Sequence, residues 1–140
     1  MRKRNSVIAM YFPNFPDESQ RNLIVTFPEG EDVVLHHLYD FLAVELHPRQ
    51  YELVIATIDK VLSGELEEGE ISGNAVGLTI TKEVTRVQLD EYHREYVKNG
   101  DIPFEMDTEE FREFLMEWWE KSRAFDRGEW EPEIVYRGQL

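Results

Sequence analysis

Cysteine is absent from this chain of 140 residues. Its absence excludes disulfides, thiolate metal sites and a thiol nucleophile. Long apolar runs are missing too, and none approaches the roughly 20 residues that a membrane-spanning helix needs. The N-terminus, Met1-Arg2-Lys3-Arg4, is basic, but the apolar run behind it, Val7 to Phe12, is too short for a signal-peptide core and ends at Pro13. The expectation is a cytoplasmic protein without a membrane partner. Positive charge is scarce: 15 Lys and Arg face 29 Asp and Glu, a formal net charge of −14. Such an imbalance repels nucleic acid and anionic lipid and favours cationic partners.

Catalytic signatures are equally sparse. No G-x-S-x-G elbow occurs, and no glycine-rich strand–turn–helix segment is built to cradle phosphate. Of the four histidines, His36 and His37 are adjacent and point apart on either a helix or a strand. His47 stands at a helix start and His93 in a charged loop. Zinc needs three or four converging ligands, so no metal or other cofactor is expected. Carboxylates are so abundant that no pair of them singles out an acid–base site. The chain reads as a binding protein, not an enzyme.

What is present is a patterned globular domain. Apolar residues make up 41% of the chain and aromatics 12%, enough for a core in a single domain spanning residues 1–140. Ser6 to Phe12 and Leu23 to Phe27 read as strands of an antiparallel hairpin with a long connection, broken by Pro13, Asn14, Pro16 and Asp17. From Val33 to Leu46 the spacing of Val34, Leu38, Phe41, Leu42 and Glu45 is helical, although Val33, Leu35 and His37 also alternate as in a strand. A clearer helix follows His47-Pro48, with Tyr51, Val54, Ile55, Ile58, Val61 and Leu62 on one stripe and Gly64 at the stop position. Leu53 falls off that stripe. Glu65 to Glu70, ELEEGE, reads as an acidic connector. Ala75–Thr81 and Val84–Leu89 alternate around Lys82-Glu83, as in a tight hairpin. Tyr92 to Asp101 reads as a loop. Beyond Phe125 the polar composition is that of a mobile tail, in which Ile134, Val135 and Tyr136 have the pattern of an edge strand. The sum is an α+β fold, a mainly antiparallel sheet packed with three helices.

The segment with the sharpest pattern is Phe104 to Lys121, FEMDTEEFREFLMEWWEK. A short strand meets an N-cap residue, Asp107, with Glu110 three positions on, the spacing of a capping box. Phe111, Phe114, Leu115 and Trp118 fall on one helical face. Glu109, Glu113, Glu117 and Glu120 gather within an arc of roughly 80° on nearly the opposite face. Only Arg112 and Lys121 stand near them as cations. Like charges repeated at this spacing each cost a helix a few tenths of a kcal/mol, which a cationic partner relieves. This face, the connector glutamates Glu67, Glu68 and Glu70, and Trp119 as an aromatic anchor beside the stripe are the candidate partner-binding residues. Met116, Trp130 and Tyr136 are further candidate anchors.

Several of these segments resemble the small bacterial immunity proteins of contact-dependent growth inhibition and other polymorphic toxin systems. They are the helix YELVIATIDKVLSGE, the step SGNAVGLTI into a strand, its return TKEVTRVQL, and FEMDTEEFREFLMEWWEK with its Asp-Thr-x-Glu-Phe helix start. The likeness extends, with gaps, from Tyr51 to Lys121, and its motifs are structural. It implies a protein that binds one cognate toxin domain, often a nuclease, and covers its active or substrate-binding surface. A toxin that handles nucleic acid is basic, and an acidic inhibitor suits it. Contact residues differ from pair to pair in that family, so the candidate residues above rest on the acidic face alone. The competing expectation is an acidic adaptor or nucleic-acid mimic that binds some other cationic protein.

Overall fold

The computed structural model describes residues 8–13, 21–26, 41–42, 46–73, 76–89, 103–132 and 134–135. Among these residues nine elements run in the order β1 (Ile8–Pro13), β2 (Arg21–Thr26), α1 (Pro48–Leu62), β3 (Glu68–Ile71), β4 (Val76–Thr81), β5 (Val84–Leu89), β6 (Phe104–Asp107), α2 (Thr108–Asp126) and β7 (Ile134–Val135). The class is α+β. The strands form two sheets where the pattern pointed to one: an antiparallel meander, β3-β4-β5-β6, and a three-stranded sheet, β2-β1-β7. In the second sheet β1 and β2 make the expected antiparallel hairpin, and β7 joins β1 in parallel through Met10–Ile134 and Tyr11–Val135.

Local chemistry sets the helix ends. His47 caps α1, with Pro48 in the first turn where a missing N–H costs nothing. Gly64 follows the helix at φ +86°, a left-handed conformation that glycine adopts without Cβ strain. Asp107 caps α2 by accepting from the N–H groups of Glu109 at 3.1 Å and Glu110 at 3.3 Å. At the far end Gly128, φ +73°, closes a Schellman turn in which the Glu129 N–H donates to the Ala124 carbonyl at 2.8 Å. Past Phe125 the described residues form this cap and, at Ile134–Val135, the strand pairing with β1 that the sequence pattern anticipates.

Both helices cover one face of the meander. Residues opposite one another across it, Ile71–Leu78–Val87–Phe104 and Gly69–Ile80–Thr85–Met106, all lie on that face and are buried. Val54, Ile58 and Val61 of α1 and Phe111, Phe114, Leu115 and Trp118 of α2 complete the same core. Gly69 lets α1 sit close, since a Cβ there would run into the Thr57 methyl. Phe41 and Leu42 also enter this core, and the Leu46 N–H donates to the Phe41 carbonyl at 2.8 Å in an i→i+5 turn. The rest of the expected Val33–Leu46 helix lies outside the described residues, as does the Tyr92–Asp101 loop.

One stretch departs from expectation. ELEEGE is not all connector: Glu68 to Glu70 belong to β3, paired with Thr81, Ile80 and Thr79 of β4. Gly69 and Ile71 turn inward while Glu68 and Glu70 face solvent. Charged side chains on a four-residue edge strand also discourage further edge-to-edge pairing. The β4–β5 hairpin turns through Lys82-Glu83 as expected, yet no residue other than glycine has a positive φ among the described residues. The usual primed turn is therefore not used. Instead Thr81 Oγ1 accepts from the Val84 N–H at 3.1 Å and donates to the Val84 carbonyl at 3.0 Å.

Two buried threonines fasten that hairpin to α2. Thr108 Oγ1 donates to the Thr81 carbonyl at 2.6 Å, and its N–H donates to the Glu83 carbonyl at 3.2 Å. Its single hydroxyl proton being used, the 3.0 Å contact with Thr85 Oγ1 has Thr85 as donor. Thr108→Val strips a partner from the buried Thr85 hydroxyl and from the half-buried Thr81 carbonyl and is expected to cost about 1–3 kcal/mol, whereas Thr85→Val leaves the Thr108–Thr81 bond intact and is expected to cost less. Urea unfolding of the two variants checks the order. Equal losses would mean that Thr108 is not the hub.

Candidate acidic interface

α2 presents its glutamates as the helical phase requires. Glu109, Glu113 and Glu120 are exposed and Glu117 is half-buried, while Phe111, Leu115 and Trp118 one half-turn away are buried against the sheet. The two cations beside this row are used differently. Lys121 reaches Glu117 at 2.6 Å, one turn along the helix. Arg112 turns the other way, to α1, where Nε meets Asp59 Oδ1 at 2.7 Å and Nη2 meets Oδ2 at 3.4 Å. That hydrogen bond raises the Arg112 pKa. Glu109 at the helix N-terminus is favoured by the helix dipole. No such benefit reaches Glu113 and Glu117 in mid-helix.

The structure does not bring the two acidic clusters together. Glu68 and Glu70 project from the other face of the meander, which no helix among the described residues covers. The α2 glutamates project from the outer side of the helix layer. The full thickness of sheet, core and helix lies between them. Glu67 is exposed in the bend that leads into β3. On the sheet face that bears Glu68, Glu70, Thr79, Arg86 and Glu105 form one row across the strands, with an Arg86–Glu105 ion pair at 3.4 Å. That face already carries a balancing cation among its carboxylates.

Trp119 is not a bare anchor. It lies half-buried where α1 and α2 run antiparallel, its ring stacked on Tyr51 with centroids 4.6 Å apart and planes 7° from parallel. The Arg123 guanidinium carbon sits 4.1 Å from the same ring centroid. Burial, then the Glu120 carboxylate, push the Tyr51 phenol above its ordinary pKa, with Arg112 opposing. Met116 is 38% exposed on the same seam, and Leu53, on another side of α1, is 51% exposed. Trp130 is half-buried with Lys121 Nζ 5.4 Å from its ring centroid. Tyr136 lies outside the described residues. Sequence reasoning missed the Tyr51–Trp119–Arg123 stack. Its only signal was that Tyr51 and Trp119 each sit toward the edge of an apolar stripe.

Among the described residues no cluster of three or more His, Asp or Glu is placed to hold a metal, and no helix is long and apolar enough to cross a membrane. No protein-family model, no curated protein and no solved structure matches this chain.

Proposed function

We propose that this protein is a stoichiometric acidic inhibitor that neutralises a cognate, basic, nuclease-type toxin by covering its active or substrate-binding surface, in the manner of the immunity proteins it resembles. The observation that carries this is the row of glutamates on the outer face of α2, three of them exposed and aligned on a rigid, doubly capped helix. The net charge of −14 acts in the same direction. A basic partner relieves the repulsion along the row and is drawn to it over a distance. The work is done in the cytoplasm, where such a toxin would act.

A toxin domain is expected to be encoded beside this chain's gene, and the test is binding to it and inhibition of it. Association is expected to be fast and to slow steeply as ionic strength rises through about 0.1 M, where the screening length is near 10 Å. Stopped-flow mixing over a salt series measures it. An association rate that is flat across the series removes electrostatic steering, and a toxin that binds but stays active removes inhibition. Binding to a cationic protein that is not a toxin would instead favour the adaptor.

A further inference from the structure

Arg123 is an exposed cation that rests against an aromatic ring. No ion pair to it is present among the described residues, and its guanidinium rests over Trp119. Tyr51 fills one face of that indole in a near-parallel stack, so the guanidinium takes the other. The Trp119 ring is thus backed by Tyr51 on one face and, among the described residues, covered on the other by the exposed Arg123 side chain. Glu120 is the next residue and lies close enough to influence Tyr51. Met116, one turn back, is exposed beside it and is contacted by Arg112 Nη1 at 3.2 Å. A fixed indole, an exposed methionine and flanking carboxylates make up the chemistry that receives arginine at protein interfaces.

We propose that the outer face of the Trp119 ring is an arginine-docking platform for a cationic protein partner, occupied in the free protein by its own Arg123. This rests on the reading of the α2 surface as an acidic interface and adds to it a point of specificity. An incoming arginine stacks on the indole, takes the place of Arg123, and sets its charge beside Glu120. Arginine is favoured over lysine because its guanidinium is planar and weakly hydrated, so it stacks with less loss of solvation. The glutamate row attracts any cation, whereas the platform selects the guanidinium.

Two synthetic peptides of equal charge, octa-arginine and octa-lysine, serve as probes against the intact chain. Binding is followed at the Trp119 indole N–H by nitrogen-15 NMR, with the resonance assigned by its loss in Trp119→Phe. Octa-arginine is expected to move that resonance and to bind about two- to fivefold more tightly than octa-lysine. Arg123→Ala is expected to tighten octa-arginine binding about two- to fivefold, because it vacates the ring. Arg127→Ala removes one positive charge from the same end of α2 without touching Trp119, and controls for charge alone. If both peptides bind but the indole stays still, or if Arg123→Ala and Arg127→Ala act alike, the platform is wrong and the acidic interface stands. If neither peptide binds at low salt, the acidic interface fails and the platform with it.

Discussion

Trp118→Ala is expected to destabilise the fold by on the order of 3–5 kcal/mol, the cost of emptying a large aromatic site in a packed core. Trp118 is only 8% exposed and packs 6.3 Å, centroid to centroid, from Phe114, which stands at 6.3 Å from Phe111 in turn. This aromatic run holds α2 to the meander, so its loss is felt across the whole core. For a chain of this size the melting temperature should fall by roughly 10 °C or more. Glu113→Gln, on the exposed face of the same helix, should stay within about ±0.5 kcal/mol. Thermal melts that ranked these two variants in the opposite order would mean that α2 does not bury the face bearing Trp118.

Charge reversal should locate the partner. Glu113→Lys with Glu117→Lys alters the α2 row, and Glu67→Lys with Glu68→Lys alters the region of β3. Each pair changes the net charge identically, so general repulsion is matched. Glu68 and the α2 row lie on opposite sides of the sheet–helix sandwich, with Glu67 in the bend beside Glu68, so one docked toxin face is expected to meet one region only. The α2 pair is therefore expected to slow association at least tenfold, within the range that electrostatic steering commonly supplies. The β3 pair should have a much smaller effect. If an arginine of the toxin is fully desolvated against one of the reversed glutamates, dissociation also speeds, with a loss of roughly 2–5 kcal/mol. Circular dichroism confirms folding before the titration. A large effect confined to the β3 pair moves the interface to the sheet face that bears Glu68. Parent-like binding by both folded pairs removes the acidic model and turns attention to Leu53 and Met116.

What the sequence determined by itself is local. The stripes of α1 and α2 were legible because period 3.6 places Val54, Ile58 and Val61, or Phe111, Leu115 and Trp118, on one side whatever they pack against. The caps were legible because Asp107 and Gly64 act within a few residues of themselves. The β4–β5 hairpin was legible from alternation on either side of a two-residue turn. The exposure of Glu109, Glu113 and Glu120 followed from the same helical phase.

Tertiary structure alone decided the rest, because those features depend on partners far along the chain. Glu68 to Ile71 is strand only because β4 is there to pair with it; four residues with one buried apolar side chain carry too little pattern of their own. β7 has two residues and lies against β1, at the other end of the sequence. Trp119 meets Tyr51 and Arg112 meets Asp59 across the α1–α2 seam, where the helix packing fixes which edges touch. The separation of the acidic clusters is of this kind as well. The sequence places Glu67, Glu68 and Glu70 and the α2 row in two acidic stretches, and helical or strand period says which way each side chain points from its own element. Only the stacking of helices on one face of the meander sets the two groups on opposite sides of the protein, since a direction within an element becomes a position on the molecule once the elements are packed.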